Sequence, residues 1–153
     1  MRRRLRGAAL AAGLATLALA LIGARGGETV TERNRAIVTD FARLFYTQRN
    51  VRAAFERYVA PDYIQHNPGI GDGRDAAIAM LEPKFSRPGA TFAIKRIIVD
   101  GDMAVIHLHG RPAPDQPGGA VADIYRLSHG RIVEHWDVLQ PIQPSTVNPH
   151  PYF

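Results

Sequence analysis

Apolar side chains recur at helical spacing between residues 28 and 49. Ile37, Val38, Phe41, Leu44 and Phe45 fall on one face with Arg33, Arg35, Asp40 and Arg43 between them, which predicts a long amphipathic helix. Thr29 or Thr31 is placed to cap its start, the latter with Asn34 where a capping box would carry Glu. Asn50 reads as the N-cap of a shorter helix over 51–59, with Phe55, Tyr58 and Val59 as its inward stripe and Pro61 as its stop. Residues 63–66 are extended, and 67–73 is a loop broken by Pro68 and three glycines. Those glycines lack the Gly-Lys-Ser/Thr ending and the preceding parallel strand of a phosphate loop. A third helix opens at Gly73 or Asp75 and carries Ile78, Met80, Leu81 and Phe85.

From residue 91 the period changes from 3.6 to 2. Strands are predicted over 91–99, 103–109, 120–127 and 131–139, with turns at Asp100-Gly101-Asp102 and Ser128-His129-Gly130. A Pro- and Gly-rich connection, 110–119, joins the middle pair, and the tail from Gln140 holds four prolines and reads as an extended arm. Helices first and strands afterwards predict an α+β fold with segregated layers. Ile97, Ile98 and Val99 are consecutive, and Val105, Ile106 and Leu108 populate both faces of their strand, so both faces of the sheet are expected to be covered. Three helices cover only one, which predicts a homodimer.

Charge sharpens the domain boundaries. The 153 residues carry 19 Lys+Arg against 14 Asp+Glu. Arg2, Arg3, Arg4, Arg6 and Arg25 all lie in the first 26 residues, which contain no acid, so the rest is balanced. No basic patch is left to neutralise several phosphates, and no nucleic-acid partner is expected. The basic start, the apolar run 8–22 and the small pair Gly23-Ala24 read as an export leader over 1–26. The run is shorter than the ~20 residues of a spanning helix. Cleavage near Ala24 and a periplasmic or secreted product are therefore expected, with membrane attachment only through an uncleaved leader. A domain over 27–140 and an arm over 141–153 follow. The chain has no cysteine, hence no disulfide framework and no thiol nucleophile; packing or oligomerisation must supply stability.

Strand alternation locates the candidate chemistry. Val105, His107 and His109 point one way while Ala104, Ile106 and Leu108 point the other. With a two-residue turn at His129-Gly130, Ser128 pairs with Arg131 and Asp123 falls opposite Trp136; His135 and Asp137 take the other face unless a bulge intervenes. A carboxylate at Asp123 among Val121, Tyr125 and Trp136 is desolvated, which suits a general base. His109 or His107, from the preceding strand, is the natural partner, against the plainer reading that Asp123 only ties neighbouring strands together. Gly101 with His107-Leu108-His109 partly matches the opening of a cupin metal motif, but Gly110 to Pro114 follow where that motif needs Glu. His66, His107, His109 and Asp123 could converge on a metal, yet no spacing fixes their geometry, and none is expected. The serines Ser86, Ser128 and Ser145 lack a nucleophile elbow.

Tyr63-Ile64-Gln65-His66-Asn67-Pro68, then Gly73-Arg74-Asp75, then Ala122-Asp123-Ile124-Tyr125-Arg126-Leu127 and Gly130-Arg131-Ile132-Val133-Glu134-His135-Trp136-Asp137-Val138 together resemble the SnoaL-like polyketide cyclase group. The resemblance implies the nuclear transport factor 2-like fold, an α+β cone in which a curved antiparallel sheet wraps around helices and encloses a pocket. It also implies acid/base roles for Asp123 and His109 in an intramolecular aldol condensation, with no metal or organic cofactor. On this reading His66 and His107 orient a small-molecule ligand, and Tyr63, Tyr125 and Trp136 form apolar walls. The substrate expected is a small, largely apolar carbonyl compound. The alternative is an exported, non-catalytic binding module using the same pocket.

Overall fold

A computed structural model describes residues 28–153; the expected leader lies outside the described residues. Helix α1 (Val30–Ala42) begins with a capping box in which the Glu32 amide donates to Thr29 Oγ1 at 3.1 Å and the Thr29 amide to Glu32 Oε2 at 2.8 Å. The Thr29 amide, and then the Thr29 hydroxyl at 2.8 Å, donate to the Glu32 carboxyl and hold it below its ordinary value. Thr31, the other candidate cap, instead accepts from the Gly101 amide at 3.0 Å, and Asn34 Nδ2 donates to the Gly101 carbonyl at 2.8 Å. Both clamp a strand turn onto α1.

The helix runs on into a π-helical turn, Arg43–Thr47. Its wider winding turns the adjacent Phe45 and Tyr46 inward together, and both are buried. Helix α2 (Val51–Tyr58) starts at Asn50, whose Oδ1 accepts from the Ala53 amide at 3.1 Å. It ends at Tyr58, before Pro61. Pro61 lies within strand β1 (Val59–Gln65), which starts earlier than expected and is tolerated there because β1 is an edge strand. Helix α3 (Arg74–Phe85) follows the loop.

Strands β2 (Thr91–Asp100), β3 (Met103–Arg111), β4 (Gly119–Ser128) and β5 (Arg131–Pro141) form an antiparallel meander, and β1 adds parallel to β5, giving the order β1-β5-β4-β3-β2. His129 and Gly130 have φ of 49° and 76°, the positive pair that a two-residue type I′ hairpin requires. The molecule is thus α+β, three helices packed on a curved, mostly antiparallel sheet.

The core lies between helices and sheet. Val38, Phe41, Phe45, Phe55 and Phe85 meet Ala104, Ile106, Leu108, Tyr125, Leu127 and Ile132 from the inner face of the sheet. The outer face is apolar in part, with Ile98 and Val138 more than half exposed. The C-terminal arm brings Phe153 across this face, its ring 5.4 Å from His107, 5.3 Å from His109 and beneath Lys95 Nζ at 4.7 Å.

Candidate functional site

One extra residue in β5 decides which side chains meet. Ser128 pairs with Arg131 and Leu127 with Ile132, as an uninterrupted hairpin requires, but Arg126 then pairs with Glu134. Val133 is the bulged residue. Every residue beyond it changes face, so Tyr125 lies opposite His135 and Asp123 opposite Asp137. Trp136 is turned to the outer face, which corrects its expected place in the pocket wall. His66 stacks on it there, centroids 4.8 Å apart and planes 5° apart, and bonds Glu134 Oε1 at 2.8 Å. His66 therefore lies outside the pocket as well.

His109 and His107 require the same correction. In the β3–β4 register Asp123 lies opposite Ile106, and His107 and His109 lie opposite Ala122 and Ala120. Their side chains occupy the outer face, where His109 Nε2 meets the Pro117 carbonyl at 2.7 Å. The strongly apolar set Ala104, Ile106 and Leu108 takes the core, and the histidines alternate away from it. Of the expected site residues, the structure brings together Asp123, Tyr63 and Tyr125, and joins to them His135, Asp137, Tyr46, Gln65 and Asn67.

These groups form a continuous network. Asp123 is buried with both oxygens engaged: Tyr46 donates its hydroxyl to Oδ2 at 2.6 Å, and His135 Nε2 lies 3.1 Å from Oδ1. The Tyr125 hydroxyl is 2.6 Å from that of Tyr46 and donates to it, since the Tyr46 proton is directed at the carboxylate. His135 is also buried, and its Nδ1 lies 2.9 Å from Gln65 Oε1. Asn67 Nδ2 donates to Asp137 Oδ2 at 2.5 Å. Among the described residues no buried side-chain nitrogen or oxygen lacks a partner.

Donors and acceptors in this network fix a proton. The Asn67 amide donates to Gln65 Oε1 at 2.9 Å, and Gln65 Nε2 donates to the Tyr63 hydroxyl at 3.1 Å, so the atom facing His135 is an acceptor. Nδ1 must then carry a hydrogen. A neutral imidazole protonated at Nδ1 presents a bare lone pair at Nε2, and a lone pair 3.1 Å from a carboxylate oxygen is repelled. The Asp123–His135 contact therefore holds a proton, as an imidazolium against a carboxylate or as a carboxylic acid against a neutral imidazole.

The tyrosines are held as neutral donors. Burial foremost, and then the charge of Asp123, push the hydroxyls of Tyr46 and Tyr125 well above the ordinary tyrosine range, and burial does the same to Tyr63. The Tyr63 hydroxyl has one polar partner among the described residues, Gln65 Nε2. Its own proton remains available.

Asp123, His135, Asp137, Tyr63, Gln65 and Asn67 open onto a cavity of about 710 Å³ whose other walls include Phe45, Phe55, Leu81, Phe85, Phe92, Leu108 and Val121. The volume suits a small organic ligand. Asp123, His135 and Asp137 also present ligand atoms within 4.8 Å of one another, a nitrogen-and-oxygen set of the kind zinc or iron accepts.

Helices on one face of a bulged, curved sheet, with polar groups gathered on the wall of an apolar cavity, make up the nuclear transport factor 2-like fold of this chain's structural neighbours. Residues 38–135 match the SnoaL-like domain, and the chain belongs to that family. It is similar to a nuclear transport factor 2-like protein of unknown function from Mesorhizobium loti, at 21% identity over 75% of this chain and 97% of that one, with a TM-score of 0.65. A protein from Kribbella flavida described as a "putative ketosteroid isomerase" shares 21% identity over 82% and 87% of the two chains, at a TM-score of 0.58. One from Acidithiobacillus ferrooxidans, described as a "putative polyketide cyclase", shares 22% over 72% and 90%, at 0.55. No curated protein matches the chain.

Proposed function

We propose that this protein is an acid/base enzyme that needs no cofactor and moves a proton α to the carbonyl of a small, largely apolar compound. The observation that carries the reading is the contact of His135 Nε2 with Asp123 Oδ1, with Nδ1 held by the Gln65 acceptor, on the wall of a largely apolar cavity. As the carboxylate, with the shared proton on His135, Asp123 takes the α-proton as the Cα–H bond breaks, and the electron pair moves onto the carbonyl oxygen. Tyr63 donates its free hydroxyl proton in a hydrogen bond to that developing oxyanion. Protonated Asp123 then returns its proton to another carbon, giving an isomerisation, or to the alkoxide formed when the enolate attacks a second carbonyl, giving an aldol closure. His135 holds Asp123 through the cycle and Gln65 holds His135. The cyclase and isomerase descriptions of two similar structures support the reaction class.

The test is exchange of the α-protons of 2-tetralone with D2O, followed by NMR. The full-length protein is expected to accelerate exchange, and Asp123→Asn to reduce the acceleration by about 100-fold or more with the fold intact. Binding of 2-tetralone without exchange would overturn the reading in favour of a binding module.

A further inference from the structure

The cavity is polar at its buried end and positive at its exposed edge. Lys84, in the last turn of α3, and Arg87, just beyond it, both line the cavity and are exposed. Among the described residues neither side chain takes part in an ion pair or hydrogen bond. Other nearby arginines are committed: Arg52 to Glu82 at 2.9 Å, and Arg111 to the carbonyls of Pro114 and Gln116. Among the described residues the carboxylates on the cavity wall are Asp123, buried, and Asp137, half-buried, and both are already hydrogen-bonded.

A third cation holds this edge in place. Arg49 has a φ of 56°, in the left-handed region that non-glycine residues seldom occupy. From that position its guanidinium donates to the carbonyls of Arg87 at 3.3 Å and Ala90 at 3.2 Å. The segment bearing Arg87 is thereby tied back to the end of the π-helical turn that supplies Tyr46. The strained residue thus couples the positive edge to the element that builds the proton site.

We propose that the ligand is an amphipathic monoanion whose carbonyl end reaches Asp123, whose body fills the apolar middle, and whose carboxylate is taken by Lys84 and Arg87. The proposal rests on the acid/base reading only for which end goes inward. A cavity with the Asp137 carboxylate at its base and cations at its edge orients such a molecule, because the reversed pose sets the ligand carboxylate against Asp137. Arg87 offers the planar pair of donors that a carboxylate accepts, and Lys84 a second charge.

Isothermal titration with 2-naphthylacetate and the isosteric, neutral 2-naphthylacetamide tests this. The full-length protein is expected to bind the carboxylate about 10-fold more tightly than the amide, with the margin shrinking as salt is added. Lys84→Gln with Arg87→Gln is expected to abolish the preference while leaving amide binding and the urea midpoint unchanged. Arg87→Gln alone gives an intermediate preference if the double variant folds poorly. Asp123→Asn is expected to cut the acceleration of 2-tetralone exchange by about 100-fold or more and keep the preference, so the two readings fail separately. Equal binding of the two probes, no binding of either at millimolar concentration, or a preference that survives the double variant would overturn the proposal.

Discussion

Three buried tyrosines commit the fold to a steep loss of stability in alkali. Tyr46, Tyr63 and Tyr125 are at most 2% exposed, and in each case burial is the foremost cause that raises the hydroxyl above its ordinary value. A group whose pKa is higher folded than unfolded contributes stability that is complete below the unfolded value, about 10 for tyrosine. That contribution falls as pH rises above about 10, because only the unfolded chain then releases the protons. One unit above, at about pH 11, each tyrosine costs on the order of 1 kcal/mol, and the three together on the order of 4 kcal/mol. That is a large share of the roughly 5–15 kcal/mol of a typical domain. Urea unfolding at pH 8, 10 and 11, followed by far-ultraviolet circular dichroism, should show the midpoint steady to about pH 10 and falling sharply after. Tyr125→Phe should remove about a third of the slope. If tyrosinate absorbance at 295 nm develops fully near pH 10 while the fold remains intact, the buried network is not as described.

Three further outcomes follow from the same contacts. Gln65→Leu removes the acceptor that holds the Nδ1 hydrogen of His135 and should cut α-proton exchange by about 10- to 100-fold with little change in ligand affinity, while Gln65→Glu, which keeps an acceptor, should retain more activity. Deleting Val133 removes the bulge, turns His135 and Asp137 outward and should abolish exchange; circular dichroism checks that the sheet survives, and full activity in the deletion would contradict the register argument. We propose that a second copy of the chain covers the exposed Ile98 and Val138 of the outer sheet face. Sedimentation should therefore report a dimer that Ile98→Glu with Val138→Glu converts to monomer, and a monomeric parent protein at tens of micromolar would contradict this.

The elements were legible where one local rule governed them. Helical spacing located α1 and α3, the Asn50 cap located α2, and the His129-Gly130 pair announced its hairpin. The site was less legible because it depends on two single-residue irregularities. The π-helical turn directs Tyr46 inward, where a regular helical stripe has no place for it beside Phe45. The bulge at Val133 reverses the faces of His135, Trp136 and Asp137; its trace in the sequence is the adjacent apolar pair Ile132-Val133. His107 and His109 illustrate a different weakness. Their alternation with Ile106 and Leu108 was plain, and the more apolar set belongs in the core with Asp123, yet two histidines one strand away from a carboxylate drew the chemistry towards themselves. Thr29 to Glu32 is a literal capping box, and it forms in preference to the pair Thr31 and Asn34.

The central claim is that Gln65 fixes a hydrogen on Nδ1 of His135, so that the contact between Nε2 and Asp123 must share a proton. Nitrogen-15 NMR of imidazole-labelled protein between about pH 6 and pH 8 reads both nitrogens directly. Nδ1 of His135 is expected to carry a hydrogen throughout, and Asp123→Asn to change the state of Nε2 alone. An unprotonated Nδ1, with the hydrogen on Nε2 only, would contradict it.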